Sequence, residues 1–308
     1  MLPDQIEIID RRFAALVQSN AYIDKLWTGA RWAEGPAYLP AIHSLLFSDI
    51  PNDRVLRFDE LTGDVTLFSD RSGHQNGRTV DRQGRVVSCE HGGRRVSRID
   101  HDGKVRALCD AFEGKRLNSP NDVVVKSDGS IWFTDPTYGI DSDYEGHAGV
   151  SEIGASYVFR IDAETGEVTA VATDFAKPNG LAFNADETRL YVSDTGISHA
   201  PDGPRHIRVL ELGADGRSLR PGGEVFATCG AGVFDGFRLD AQGNIWTSAG
   251  DGVHVYAPDG ALLGKIHLPE PAANVEFGGP ARNRLYICAT SSLYALYLPI
   301  SGAAPTGA

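Results

Sequence analysis

Short segments in which apolar residues follow one polar residue recur along the chain. A pentamer with a polar first residue, an apolar or β-branched centre and a small last residue occurs six times: SLLFS (44–48), RVVSC (85–89), SIWFT (130–134), RLYVS (189–193), NIWTS (244–248) and RLYIC (284–288). Each pentamer is too short for a buried helix and is rich in branched and aromatic residues. The pattern predicts a buried strand at each position.

Each pentamer lies within a longer repeated unit. A turn such as DRQG (81–84) or DAQG (240–243) precedes it, another apolar segment precedes the turn, and two further strands follow. Antiparallel units of four strands that repeat every roughly 40–50 residues are typical of β-propellers. The sequence therefore predicts an all-β, six-bladed β-propeller with four-stranded antiparallel blades around a central channel. A β-sandwich is the alternative, but it does not explain six copies of one pattern.

The sixth unit is short of one strand, and the stretch AYIDKLWTG (21–29) is available to supply it. We expect these residues to pair with the C-terminal blade, because this leaves no open sheet edge in the ring. The preceding residues, about 1–20, have mixed helical spacing and are expected to cap the outside. On this interpretation residues 1–308 form a single propeller domain.

The residue that opens the first strand of each unit is a carboxylate or a carboxamide at all six positions. These residues, which we call the channel ring, are Glu34, Asn76, Asn121, Asn179, Asp235 and Asn274. The first strands of a propeller line its channel, so six oxygen-bearing side chains converge there, an arrangement that suits a divalent cation. Any single Asn could instead cap a turn. Glu34 is a poor turn former, however, and the full set favours a metal site.

Further candidate residues lie near the ends of the second strands. A second acidic set closes these strands: Asp49, Glu90, Asp135 and Asp194. We expect this set to accept hydrogen bonds from backbone donors in the loops between blades, although Asp194 could instead support a second ion or the outer shell of the metal. His91 is either an acid/base and substrate-contacting residue at the channel mouth or a loop histidine. Residues 136–156 form a long insertion, interpreted as a lid over the channel or as a mobile surface loop.

Composition and charge limit the classes of partner and the cellular location that we expect. The net charge of −12 argues against a nucleic-acid partner, which requires a basic face. No segment approaches the roughly 20 apolar residues of a membrane span, and the N-terminal FAALV (13–17) is too short for a signal peptide. Four cysteines lie far apart without a CxxC motif, which indicates reduced thiols. We therefore predict a cytoplasmic protein, either a monomer or a small homo-oligomer, without a membrane partner.

Several stretches resemble one known family. EGPAYLP, SPNDVVVKSDGSIWFTDPTYG and KPNGLAFNADETRLYVSDT are similar to the gluconolactonase branch of the senescence marker protein/gluconolactonase/luciferin-regenerating family, and the similarity runs from about residue 30 to residue 298. Members are six-bladed propellers with one catalytic divalent ion in the channel, and many hydrolyse sugar lactones. The resemblance implies that Glu34, Asn179 and Asp235 bind the metal directly. It also implies that Asn121 is a fourth ligand or a substrate contact, and that Asp235 is the general base.

The resemblance departs from the family pattern at one substrate-binding position. In the regucalcin branch an arginine lies two residues before the equivalent of Asn121 and contacts the sugar acid, but this chain has Ser119 there. Arg116 is close enough in sequence to take that role. The predicted substrate-binding residues are therefore Asn76, Asn121, Arg116 and His91.

These observations predict a metal-dependent hydrolase that opens a gluconolactone-type aldonolactone to the aldonic acid by attack of a metal-activated water. Oxygen ligands favour Ca²⁺, and Zn²⁺, Mg²⁺, Mn²⁺ and Fe²⁺ remain compatible. The alternatives are a phosphotriesterase of the diisopropyl fluorophosphatase kind and a non-catalytic calcium-binding propeller. The sequence contains no GxSxG, HExxH or phosphate-loop motif, so serine-hydrolase, zincin and nucleotide-binding functions lose their main support.

Overall fold

The computed structural model describes residues 4–303 and contains six four-stranded antiparallel sheets, one of which carries a fifth strand. Within each sheet the strands lie side by side in chain order, except that the sixth sheet takes its outer strand, and the fifth sheet its additional strand, from near the N-terminus. The predicted six-bladed β-propeller is confirmed. Residues 1–3 and 304–308 of the expected single domain lie outside the described residues.

The blades are numbered along the chain and their strands run from the channel outward. Blade 1 comprises Ala33–Leu39, Ser44–Asp49, Arg54–Asp59 and Val65–Asp70, and blade 2 comprises Gln75–Val80, Val86–Glu90, Arg95–Ile99 and Val105–Cys109. Blade 3 comprises Val123–Val125, Ile131–Asp135, Ser156–Ile161 and Val168–Phe175, and blade 4 comprises Pro178–Phe183, Arg189–Asp194, His206–Glu211 and Glu224–Thr228. Blade 5 comprises Phe237–Leu239, Ile245–Ala249, Gly252–Tyr256 and Leu262–His267, and blade 6 comprises Ala272–Gly278, Arg284–Ala289, Ser292–Tyr297 and Asp24–Thr28.

The N-terminal segment contributes to two blades. Asp24–Thr28 pairs antiparallel with Ser292–Tyr297, within the stretch expected to close the ring. Ile6–Ile8 pairs with Leu262–His267 as a fifth strand of blade 5, which the spacing of the apolar residues did not indicate. Phe13 lies on the short 3-10 helix that follows, and its fully buried ring covers the same blade.

Short elements connect the strands. The 3-10 helices are Arg11–Ala15, Pro40–Ile42, Ile50–Asn52 and Gly196–Ser198, the α-helix is Tyr138–Asp141, and a small hairpin joins Ala111–Phe112 to Lys115–Arg116. Within residues 4–303, no helix has the length and apolar character needed to cross a membrane.

Side chains of the second strands pack between adjacent blades. Trp246 of blade 5 contacts Phe277 of blade 6 edge to face, with ring centroids 5.9 Å apart. Phe133 of blade 3 shares a buried cluster with Val87 and Cys89 of blade 2. Because neighbouring blades cover both faces of a second strand, its apolar residues form a run instead of a strict alternation. All four cysteines are buried and free, as predicted.

The first strands form a closed inner ring. Those of consecutive blades contact one another, and the first strand of blade 6 contacts that of blade 1. Backbone hydrogen bonds join neighbours: Gly77 N donates to Asn121 O over 2.7 Å, and Gly180 N donates to Asp235 O over 3.1 Å. The openings of the inner strands therefore lie together at one end of the channel.

Candidate functional site

The structure brings the channel ring together. Asn274 Nδ2 donates to Glu34 Oε2 over 2.9 Å, joining blade 6 to blade 1, and Asn179 hydrogen-bonds the carboxylate of Asp235. Five of the six ring residues are buried, with no more than 5% of their surface exposed, whereas Asp235 is partly exposed. Asp235 is thus the least buried residue of the channel ring.

Glycines directly after the ring residues allow this close approach. They are Gly35, Gly77, Gly180 and Gly236. A Cβ atom on Gly35 would lie 1.9 Å from the carbonyl oxygen of Asn76, and one on Gly236 would lie 2.0 Å from Cγ of Asn274. Gly35 also has a φ of +54°, which side-chain-bearing residues rarely adopt. Four ring residues, Asn76, Asn121, Asp235 and Asn274, therefore pack against a glycine near the start of the inner strand of the preceding blade.

The hydroxyl residues that end three of the six pentamers also have a role in the ring. Ser48 Oγ donates to Asn76 O over 3.2 Å, and Thr134 Oγ1 donates to Asn179 O over 2.8 Å. Ser193 Oγ donates to Asp235 O over 2.9 Å. These hydroxyls hold the backbone of the ring residue in the next blade. The small last residue of the pentamer is visible in the sequence repeat, but its small size alone does not predict the hydrogen bond.

Two acidic residues of the ring lie in an environment that disfavours their charge. Burial raises the pKa of Glu34 to about 7, although hydrogen bonds from Asn274 and from the backbone N–H of Gly35 oppose the shift. Burial, and next the negative charge of Glu34, raise the pKa of Asp235 well above its ordinary value. A bound divalent cation would neutralise both carboxylates and so remove this cost.

The donor set fits a hard cation. Glu34 and Asp235 supply carboxylate oxygens, and Asn121 and Asn179 supply carboxamide oxygens, which are ligands that Ca²⁺ and Mg²⁺ accept. Across residues 4–303, no three His, Cys, Asp or Glu side chains meet closely enough to hold an ion. A cation in the ring would therefore depend on the carboxamides to complete its coordination.

Blade 3 carries Asp122 where four other blades carry glycine, a substitution whose role the sequence did not reveal. Its side chain is buried, and burial raises its pKa to about 6, opposed by the nearby guanidinium of Arg238. Arg238 Nη1 lies 3.8 Å from Asp122 Oδ2, while its Nε donates to Glu276 Oε2 over 2.9 Å. Asp122 therefore adds negative charge near the ring, and Arg238 partly offsets it.

His91 is fully buried and lies against the ring. Its Nδ1 is 3.2 Å from the carbonyl oxygen of Glu145, and its Nε2 is 3.2 Å from Nδ2 of Asn76. Burial lowers its pKa to about 4, so the imidazole is neutral at pH 7. Nδ1–H therefore donates to Glu145, and Nε2 accepts from the Asn76 amide.

The insertion at residues 136–156 lies across the loops of blades 2, 3 and 4. Ser119 Oγ accepts from Gly139 N over 2.9 Å and donates to Pro136 O over 2.7 Å. The hydroxyl of Tyr138 lies 2.6 Å from Thr195 Oγ1. Ser119 thus anchors the insertion, at the position where the regucalcin branch has arginine.

The other predicted residues are placed as follows. Arg116 is exposed and its Nη2 donates to Gly93 O over 3.3 Å, and within residues 4–303 its guanidinium has no hydrogen bond to the channel ring. Three members of the second acidic set accept backbone N–H groups, as predicted: Asp49, Asp135 and Asp194. Glu90 differs, because it accepts from the side chains of Arg95 and Ser97.

The chain matches the family model described as the SMP-30/gluconolactonase/LRE-like region over residues 32–291. It belongs to this family. A gluconolactonase of Zymomonas mobilis is 31% identical over 306 residues, covering 92% of this chain and 83% of the relative. A pentonolactonase of Haloferax volcanii is 30% identical over 267 residues, covering 84% and 82%. The solved structure of a gluconolactonase from Xanthomonas campestris has a TM-score of 0.88 and 37% identity, covering 96% of this chain and 95% of that one.

Proposed function

We propose that this protein is a metal-dependent lactonase that opens a gluconolactone-type aldonolactone to the aldonic acid. Its main support is the pair of acids, Glu34 and Asp235, within a ring of carboxamides. Both acids have raised pKa values, and within residues 4–303 neither carboxylate forms an ion pair. The relatives named gluconolactonase and pentonolactonase cover most of this chain and supply the class of substrate.

Glu34, Asn179 and Asp235 would hold the cation, with Asn121 as a fourth ligand or a substrate contact. Ca²⁺ is the favoured ion, and Zn²⁺, Mg²⁺, Mn²⁺ and Fe²⁺ are compatible with the donors. When bound, a divalent cation supplies a Lewis acid for the lactone carbonyl oxygen.

Asp235 is the proposed general base. Its carboxylate would take a proton from the water that attacks the carbonyl carbon. The bond between that carbon and the ring oxygen then breaks, and the ring oxygen becomes a hydroxyl of the aldonic acid by taking the proton that Asp235 accepted from the water. Asn76 and Arg116 are proposed substrate contacts, and His91 acts through its hydrogen bond to Asn76.

Addition of single metal ions tests this function against its rivals. The protein is stripped with a chelator, one divalent ion is added at a time, and a panel of aldonolactones is assayed beside a fluorophosphate ester. Metal-restored turnover of a lactone supports the proposal. Turnover of the fluorophosphate alone indicates a phosphotriesterase, and metal binding without turnover indicates a binding protein. We also propose a cytoplasmic location, because the four cysteines are free.

A further inference from the structure

Arg78 is a buried cation that the mechanism does not use. It lies on the inner strand of blade 2, two residues after Asn76, and none of its surface is exposed. Among the residues that the structure describes, its guanidinium bonds only to uncharged acceptors, and its Nε has no partner. Removing a charge from water without an opposite charge beside it is costly. The guanidinium therefore needs a reason beyond the filling of space.

The other blades show that packing does not require an arginine here. Four of them carry a buried apolar residue two positions after the channel-ring residue: Pro36, Val123, Leu181 and Phe237. An apolar side chain thus fits this position of the inner strand and avoids the cost of burying a charge. What it lacks is the set of hydrogen-bond donors that a guanidinium carries.

One of these donors holds the backbone beside Glu34. Nη1 of Arg78 donates to the carbonyl oxygen of Gly35, and the backbone N–H of Gly35 donates to Oε2 of Glu34. Gly35 directly follows Glu34 and has a φ of +54°. Arg78 therefore fixes the carbonyl of the same residue whose amide orients the Glu34 carboxylate.

The second terminal nitrogen extends the contact to Asn76. Nη2 of Arg78 donates to Ser48 Oγ, and this hydroxyl in turn donates to Asn76 O over 3.2 Å. Nη2 also donates to Gln75 Oε1 over 3.3 Å. The planar guanidinium keeps its two terminal nitrogens in a fixed geometry. A single side chain therefore ties the backbone at Glu34 in blade 1 to the backbone at Asn76 in blade 2.

We propose that Arg78 is a positioning residue that fixes the Glu34 carboxylate for the divalent cation. It acts through Gly35 and Ser48 and is not a ligand, because a guanidinium has no acceptor atom. Partners of this kind typically contribute about 10- to 100-fold to metal affinity. The positive charge of Arg78 acts in the opposite direction, because it repels a cation. This inference rests on the proposed function and extends it to the way in which the metal site is held.

Calorimetric titration of the chelator-stripped full chain with Ca²⁺ tests the proposal. Arg78→Met, which places an apolar side chain there as in the other blades, should raise the Kd for Ca²⁺ by about 10- to 100-fold. Loss of the charge alone would lower the Kd instead. Arg78→Lys keeps the charge but replaces the fork with one nitrogen, so its Kd should lie between those of wild type and Arg78→Met.

Arg284→Met is the matched control. Arg284 is also buried, but it bonds to Glu60, and its loss should leave the Kd for Ca²⁺ unchanged. The proposal is overturned if Arg78→Met binds Ca²⁺ as tightly as wild type or more tightly, or if Arg284→Met weakens binding equally. If Arg78→Met does not fold, Arg78→Lys decides, and a Kd equal to that of wild type overturns the proposal.

Lactone turnover separates this inference from the proposed function. If wild type binds Ca²⁺ but hydrolyses no lactone, the proposed function fails, and the affinities of the variants alone decide the role of Arg78. If Ca²⁺ supports turnover and Arg78→Met keeps the wild-type affinity, the function stands and the role of Arg78 is wrong. If no divalent ion binds to wild type, both are wrong.

Discussion

Asn274 and Glu34 are 240 residues apart in the sequence and are joined by a hydrogen bond of 2.9 Å from Nδ2 to Oε2. This bond links blade 6 to blade 1 and orients a carboxylate proposed to bind the cation. It also opposes the upward shift of the Glu34 pKa. The protonation state of Glu34 therefore depends on ring closure as well as on burial.

Metal-free protein should lose stability as the pH rises from about 4.5 to 7. Burial raises the pKa of Glu34 from 4.5 to about 7, so in this window the folded state binds more protons than the unfolded state. Stability is then fully present below the unfolded pKa and declines as the pH rises through the folded one. Denaturant unfolding in chelator should show the decline, and Glu34→Gln should reduce it. Saturating Ca²⁺ should abolish the contribution of Glu34, and an identical decline in wild type and variant would contradict this assignment.

Asp235→Asn should lose most of the turnover at saturating metal while keeping much of the metal binding. Asn preserves one oxygen at the ligand position but cannot accept a proton from water, so about 10²–10⁴-fold of the rate should be lost. Glu34→Gln is the matched control, because it removes the same charge and spares the proton transfer. If the turnover of both variants falls by the same modest factor and added metal restores both, Asp235 is only a metal ligand.

Gly35→Ala should lower the free energy of unfolding much more than Gly63→Ala. Both glycines have a positive φ, +54° and +79°. A Cβ on Gly63 meets nothing within 4 Å, whereas one on Gly35 would overlap the Asn76 carbonyl. We expect a cost of about 1 kcal/mol at Gly63 from backbone strain and about 3 kcal/mol or more at Gly35. Chemical denaturation measures the difference, and equal costs would show that the ring backbones can separate freely.

Arg116→Ala should raise KM for a hydroxylated lactone and leave kcat little changed, if the exposed guanidinium turns from Gly93 O towards the sugar. Arg106→Ala is the control, because Arg106 is also exposed but lies on the outer strand of blade 2 and pairs with Asp100. Steady-state kinetics on D-glucono-δ-lactone decide the point. Unchanged kinetics in Arg116→Ala would remove this residue from the site.

The sequence predicted those parts of the structure that repeat. Six pentamers defined the blades, and six aligned acids and amides defined the ring, because each position could be compared with five equivalents. Asp122 and Glu145 depart from the repeat: one stands where four other blades have glycine, and the other lies in an insertion. Ile6–Ile8 was missed because only Ile6 of its three residues is buried, so the segment shows no apolar period.

The outer strand Asp24–Thr28 connects ring closure to the site, since Glu34 follows it closely in the sequence. During synthesis Glu34, Asn121, Asn179 and Asp235 are all made before the inner strand of blade 6, and Glu34 gains its Asn274 partner only once that strand lies beside the inner strand of blade 1. A nascent chain without blade 6 therefore carries every proposed ligand but lacks the closed ring. High-affinity binding of the cation would then occur only after the last blade is complete. The bound ion would in turn stabilise the closed ring.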